Sequence, residues 1–444
     1  MTWIDLLWLL LVYSFWGWVM ETVVGTIRRK RFVNPGFSTG PFCLVYGVAA
    51  LIMTVTLQDL KGHALALFVG CMVLGTTVEW VTGKLLERFN SHKWWDYSDK
   101  RWNFDGYICL QYSLLWGLLG ALIVRFFNNW LVALFHWIPG MIGEVAVVVL
   151  LCMMALDLVA SSATVFHMKR EIRAAREWNL KVAVWTRRFA LWLMKKVRTR
   201  MEKTYPVLQE KALQIQKSGT FAEGCGFYKL FWMFFIGAVV GDLFETVYCR
   251  ISMGWWMSRS SLVWGSFSLI WGGAIMLATM LLYKDRNKPD RYIFLVGTVL
   301  GGAYEYVCSV LSELVFGRVF WDYSEIPFNL GGRINLLFCF FWGIAAVAWI
   351  KWLYPFFSGL IEKIPVLWGY IITWILILFL VVDMAVSGLA MIRYDRRSRG
   401  LEPKAAWEEV MDKYFDDARM EKIYPNAKKN IGDPPVSPPG EHQI

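Results

Sequence analysis

Six acidic side chains interrupt stretches of sequence that are otherwise apolar: Glu21, Glu79 and Asp157 in the first part of the chain, and Glu245, Glu305 and Asp383 in the second. An acid at the centre of a membrane-spanning helix costs about 2.5–3.5 kcal/mol on insertion scales, so such groups mark ion paths, proton relays or substrate sites by default. Each glutamate follows a glycine by four residues (Gly17, Gly75, Gly241, Gly301), about one helical turn, so the two share a face. The glycine is expected to let another backbone approach and to turn the carboxyl into a helix interface rather than lipid. Glu21, Glu79 and Asp157 are expected to converge at similar depth, beside a polar loop carrying Asp96, Tyr97 and Asn103. Asp322, Tyr323 and Asn329 form the matching loop of the second part. The functional reading is a polar site or pathway in each half. The competing reading is that these carboxyls only hydrogen-bond across helices and lock the fold, and that Asp-x-Ser is a turn.

The elements that must hold these residues are read from hydropathy. The chain has 444 residues, 57% hydrophobic and 18% charged, and the apolar excess lies in blocks. Roughly 20 apolar residues cross a hydrocarbon core of about 30 Å. Ten stretches meet or approach that length: 3–27, 41–57, 64–86, 107–125, 141–166, 227–249, 262–283, 292–316, 334–353 and 366–391. All are read as helices, because an open sheet leaves backbone groups unpaired in lipid. Trp3, Trp94, Trp95, Trp102, Trp255, Trp256, Trp352 and Tyr354 flank these blocks, as an interfacial belt requires. The first block is read as a span rather than a cleaved signal, since its basic run, Arg28 to Arg31, follows it.

The sequence repeats itself. Glu21-Thr22-Val23 matches Glu245-Thr246-Val247 at an offset of 224, and Gly40-Pro41-Phe42 matches Gly265-Ser266-Phe267 at 225. At 226, Trp95-Asp96-Tyr97-Ser98 matches Trp321-Asp322-Tyr323-Ser324, Asn103 falls on Asn329, Trp116-Gly117 on Trp342-Gly343, and Asp157 on Asp383. The fold expected is an all-α polytopic membrane protein of two tandem homologous halves, each of about five transmembrane helices. Its parts are membrane half 1 (1–167), a basic amphipathic linker (168–220), membrane half 2 (221–392) and a polar C-terminal tail (393–444). Val182, Trp185, Phe189 and Leu193 recur at helical spacing in the linker, and Asp433 to Gly440 is proline-rich. The segment Arg419 to Pro425 repeats Arg200 to Pro206.

Positive loops favour the cytoplasmic side. Five spans per half put Arg28 to Arg31 and the linker together on that side and make the halves inverted repeats, as in many transporters. Loop charges swap accordingly: Lys61 alone in the second loop of half one, against Lys284, Arg286, Lys288 and Arg291 in half two. Arg393, Arg396, Arg397 and Arg399 run against this scheme, and the alternative is a parallel arrangement with an even number of spans per half and one segment re-entrant.

Other chemistries lack their residues. The eight cysteines form no CxxC pair, and the five histidines show no metal spacing. Gly70 to Thr77 has Thr76 where a phosphate loop needs lysine. His92 beside Asp96 has the spacing of a base near a carboxylate, but it reads more simply as a solvated loop histidine. No Gly-x-Ser-x-Gly elbow is present, no cofactor is expected, and the formal charge of +11 is assigned to loops facing anionic lipid rather than to nucleic acid.

A set of motifs carries a family resemblance: Gly17-Trp18-x-x-Glu21-Thr22, Asn34-x-Gly36-Phe37-x-x-Gly40-Pro41-Phe42, Tyr46-Gly47, Glu79, Trp95-Asp96-Tyr97-Ser98 and Asn103-x-x-Gly106. Half one, over about 10–125, resembles the bacterial ABC-transporter permease family of type IV, also called CmpB-like, related to the vertebrate transmembrane protein 229 proteins. Half two resembles it over about 232–350, with Arg259 where half one has Asn34 and Ser266 where it has Pro41. The resemblance implies a multi-pass protein of the bacterial cytoplasmic membrane. A permease-like transporter component is the function expected, with the lipid bilayer as surroundings and a lipid or small molecule as substrate. The chain has no nucleotide-binding motif, so an ABC mechanism requires a separate ATPase subunit. The alternatives are an intramembrane enzyme acting on a lipid or isoprenoid, and a structural or regulatory membrane subunit.

Overall fold

The computed structural model describes residues 1–30, 40–90, 93–170, 220–425 and 427. The amphipathic helix expected around Val182 to Leu193, the Asn34 to Phe37 turn, His92 and the proline-rich Asp433 to Gly440 lie outside the described residues. The chain divides into two compact units, Met1–Gln216 and Lys217–Ile444.

The first unit contains α1 (Trp3–Arg29), α2 (Leu44–Thr56), α3 (Ala64–Asn90), α4 (Leu110–Leu122), α5 (Asn128–Phe135) and α6 (Gly140–Arg170). The second contains α7 (Phe227–Met253), α8 (Leu269–Leu282), α9 (Asp290–Phe316), α10 (Leu336–Ala348), α11 (Tyr354–Glu362) and α12 (Val366–Ser398). It ends in two short helices, α13 (Ala406–Tyr414) and α14 (Asp417–Ile423). A π-helical turn joins α4 to α5 at Ile123–Phe127 and α10 to α11 at Trp349–Leu353, so each pair crosses as one interrupted helix. Two-residue β-hairpins precede α4 (Asn103–Phe104 with Ile108–Cys109) and α10 (Asn329–Leu330 with Ile334–Asn335).

Eight helices among the described residues are long and apolar enough to cross a membrane. The second stretch of each half is not. With 13 residues in α2 and 14 in α8, each rises only about 20 Å. This corrects the expectation of ten continuous helices. The Cys43 amide donates to the Ser14 carbonyl at 2.8 Å, midway along α1, and the Ser268 amide donates to Ala238, midway along α7, at 2.9 Å. In the second half the chain therefore re-enters from the end of α7 as non-helical backbone and turns helical halfway across, and in the first half residues 40–43 are non-helical and lead into α2 at the same depth. Each half still makes five passes. The first, third and fifth run one way, and the fourth returns to the start of the first: His136, after α5, meets Asp5 at 3.1 Å, and Glu362 meets Lys229 at 2.6 Å.

Non-helical backbone at membrane depth survives only where protein satisfies its polar groups. In the second unit, Ser260 Oγ accepts from the Leu262 and Phe267 amides at 3.1 and 3.2 Å. Ser261 Oγ accepts from the Leu269 amide, and the Val263 amide donates to Ser387 on α12. Gly265 sits at φ +81°, a conformation that costs glycine little.

The arginines after the last span have partners. Arg393 grips Asp412 through two bonds of 2.8 Å, Arg397 reaches Asp412 and Asp417, and Arg396 pairs with Glu408. These pairs strap α13 and α14 to α12. Met411, Phe415, Met420 and Tyr424 then pack on Val263, Ala390 and Met391, and the Tyr424 hydroxyl donates to the Ser261 carbonyl at 3.1 Å.

Candidate functional site

Glu305 lies on α9, one turn after Gly301. A Cβ added at Gly301 would come 2.3 Å from the Trp342 Cβ, so this α10 side chain occupies the space a larger residue would need. Lying there, Trp342 donates its indole N–H to Glu305 Oε2 at 2.7 Å. The Tyr323 hydroxyl, from the hairpin loop, donates to Glu305 Oε1 at 2.7 Å. Half one repeats every part: Gly75 lies against Trp116, Trp116 Nε1 meets Glu79 Oε2 at 3.1 Å, and the Tyr97 hydroxyl meets Oε1 at 3.2 Å. Glu79 and Glu305 are 8% and 7% exposed, so these donors replace nearly all of their hydration. Glycine therefore precedes each glutamate to admit an aromatic side chain, rather than the neighbouring backbone expected.

The first helix of each half follows the same rule. An added Cβ at Gly241 would lie 2.2 Å from Trp271, and Trp271 Nε1 donates to Glu245 Oε1 at 2.6 Å. In half one Tyr46 covers Gly17, and its phenol lies beside Glu21. The two aromatics of each half then meet, Tyr46 with Trp116 at 5.3 Å between centroids and Trp271 with Trp342 at 5.0 Å. Each half thus holds two carboxyls on either side of a packed aromatic pair. Half two adds a cation: Arg259 Nε, from the re-entrant loop, contacts Glu245 Oε2 at 2.8 Å.

The remaining expected residues sit elsewhere. Asp157 Oδ2 accepts from the Gly40 amide at 2.8 Å, and Asp383 Oδ1 accepts from the Trp264 amide and the Ser387 hydroxyl at 3.3 and 3.2 Å. Both acids of the fifth pass therefore hold the re-entrant segment in place. Asp96 caps the Ser98 amide and hydroxyl, and Asp322 caps the Ser324 amide. Asn103 bridges Lys100 and Gly106, and Asn329 bridges Ile326 and Gly332, with both glycines at positive φ. These four polar groups shape the hairpins that present Tyr97 and Tyr323. The Ser98 hydroxyl holds the exposed Asp96 carboxyl below its usual range. Burial, reinforced by the neighbouring glutamate, pushes the Tyr97 and Tyr323 phenols well above theirs, so both keep their protons.

Tyr46, Trp116, Trp271, Trp342 and Arg259 were not among the candidate residues. Trp116 and Trp342 were visible as a matched pair in the repeat, but among 26 tryptophans nothing in the sequence ties them to a carboxyl. In the second half a cavity of about 290 Å³ opens beside the cluster. Glu245, Arg259, Glu305 and Tyr323 line it, with serines of the re-entrant loop, and Tyr424 and Pro425 of the tail form another part of its wall.

The family described as "Putative ABC-transporter type IV" matches residues 8–162 and again residues 232–388. The two matches span the five passes of each half and include both glutamate pairs. No solved structure matches this chain. With most of its length covered by these two matches, the chain belongs to the type IV, CmpB-type ABC-transporter family and carries two tandem copies of its membrane unit.

Proposed function

We propose that this protein is the membrane-spanning permease component of a bacterial transporter, and that the carboxyl pair in each half is a station through which a proton or cation passes. The observation that carries this reading is the twice-built site in which a buried glutamate receives one bond from Trp and one from Tyr. Both donors are neutral. Among the described residues no cation contacts Glu79 or Glu305. Such a carboxylate in a low-dielectric site needs a counter-charge, which a proton or a passing cation supplies.

The donors suit a group that changes protonation. An indole N–H only donates, so the tryptophan always serves the same carboxyl oxygen. A phenol donates or accepts. When the glutamate is charged, Tyr97 or Tyr323 donates to it; when it is protonated, its own O–H turns to the phenol oxygen. The half-helices α2 and α8, each starting midway across, match a recurrent feature of transporters, in which broken helices frame a midplane site. Coupling to ATP would come from a separate subunit.

The test is reconstitution of the purified protein in liposomes containing a pH-sensitive dye. Proton or cation flux should be present in the wild type and lost in a Glu79→Gln/Glu305→Gln double variant that still elutes as a folded species. Equal flux in both proteins refutes the proposal. Purification from the native membrane with a stoichiometric ATP-hydrolysing protein would add the energy source.

A further inference from the structure

From the cavity of the second half we infer a binding site for a small organic monocation, an ammonium group, with Arg259 as the residue that sets the charge the site accepts. The inference rests on the permease reading and names the ligand class of one of its sites. At about 290 Å³ the cavity lies just below the usual range for drug-sized ligands, roughly 300–1,000 Å³, and suits a smaller one.

Three charged groups stand on the lining. Glu245 comes from α7, Glu305 from α9 and Arg259 from the re-entrant loop. Arg259 is committed to Glu245 at 2.8 Å, and that pair is neutral as a whole. Glu305 has only neutral donors, Tyr323 and Trp342. On the lining itself one negative charge is therefore left over. The other titratable groups near these three are the phenols of Tyr323 and Tyr424 on the lining and, off the lining, the carboxyls of Asp242 and Asp383 and the thiols of Cys249, Cys308 and Cys339. None of these adds a positive charge.

Trp321, Tyr323 and Trp342 also line the cavity, the last two bonded to Glu305. Aromatic faces with one carboxylate select a weakly hydrated organic cation, through cation–π attraction worth about 0.5–2 kcal/mol. A hard metal ion instead asks for about six oxygens in its shell. Serine hydroxyls on the same lining, Ser258, Ser261 and Ser312, can bind a polar substituent on the ligand. In half one the aligned residue for Arg259 is Asn34, which carries no charge.

The test is equilibrium binding of tetramethylammonium, ethanolamine and 1,4-diaminobutane to the purified full-length protein in detergent, read by calorimetry. Wild-type protein should take a monoamine or quaternary ammonium in preference to the diamine, and affinity should fall as pH falls, because protons compete for the same carboxylate. Glu305→Gln should abolish binding. Arg259→Gln leaves a second carboxylate unpaired and should shift preference toward the diamine by about tenfold, the effect of one favourable contact of about 1.4 kcal/mol. Absence of binding by the wild type, binding indifferent to pH, or binding unaltered in Glu305→Gln overturns the inference. If both variants fail to fold, the pH competition in the wild type decides alone. Repeating the titration in nanodiscs of phosphatidylethanolamine and of phosphatidylglycerol separates the two sources. Competition only in the former assigns a lipid headgroup, and equal binding in both assigns a free amine. Loss of ammonium binding with glutamate-dependent flux intact would sink this inference and leave the permease reading standing.

Discussion

Replacing Glu305 in two ways separates a fold-locking carboxyl from a working one. In Glu305→Gln the carboxamide oxygen can still accept from Trp342, and its NH2 can donate to the Tyr323 phenol oxygen, which accepts as readily as it donates. Both bonds survive and only the charge is lost, so the expected cost is under about 1 kcal/mol. Glu305→Ala removes both bonds. Interhelical bonds in membranes average about 0.6 kcal/mol and reach about 1.7, and the Trp342 N–H is left buried without a partner, at about 1–3 kcal/mol. The sum is about 2–4 kcal/mol, a fall of roughly 30- to 1,000-fold in the folding equilibrium. The assay is thermal unfolding in detergent followed by tryptophan fluorescence, alongside proton flux in liposomes. Glu305→Gln should unfold close to the wild type and lose flux, and Glu305→Ala should be strongly destabilised. If Glu305→Gln is as unstable as Glu305→Ala, the charge itself holds the fold and the reasoning fails. If Glu305→Gln is stable and fully active, the carboxyl is only a hydrogen-bond acceptor.

Gly241→Ala and Gly301→Ala each drive a methyl to within 2.3 Å of a tryptophan and should cost about 1–3 kcal/mol, whereas Gly359→Ala, with nothing within 4 Å, should be neutral or mildly stabilising in the same unfolding assay. Glu362→Ala strands Lys229, which is 0% exposed, and should cost about 3–5 kcal/mol, far more than replacing both partners with apolar residues in Lys229→Met/Glu362→Leu. Arg393 holds the Asp412 carboxyl below its ordinary value. The stability from this pair is present above the unfolded value of about 3.9 and is lost as pH falls through the lower folded one. The protection factors of the α13 amides, exchange taken relative to the unfolded chain at the same pH, should therefore be unchanged between about pH 5 and 8 and fall only below about pH 4. Tyr424→Ala removes a wall of the cavity and its bond to Ser261, and should speed chemical labelling of a cysteine placed at Ser312; unchanged labelling would mean that the tail does not cover the cavity.

Much of the molecule is determined by the sequence alone, because the membrane imposes two simple rules. A spanning segment must be apolar for roughly 20 residues, and an acid inside it must have a reason. Those rules give the four full-length helices of each half, the duplication, and the glutamates at Glu21, Glu79, Glu245 and Glu305. They also give Gly-x-x-x-Glu as a unit, because residues one turn apart must share a face. Asp96, Asp322, Asn103 and Asn329 were visible as polar loop groups, and their turn chemistry was one of the two readings available.

Tertiary structure decided the rest. Hydropathy cannot distinguish a continuous helix over 41–57 from a loop that re-enters and becomes helical at residue 44, because both are apolar; the distinction lies in the bond from Cys43 to Ser14. Nor does composition say which of many aromatics faces a carboxyl. Trp116 lies 37 residues from Glu79, and Trp271 lies 26 from Glu245, so their pairing exists only once the helices pack. The fifth-pass acids look like the glutamates in sequence, yet Asp157 and Asp383 are spent on backbone amides brought to them from more than 100 residues away. Burial and hydropathy are local properties that a sequence carries along its length, whereas the partner that a buried polar group requires is set by which helices touch.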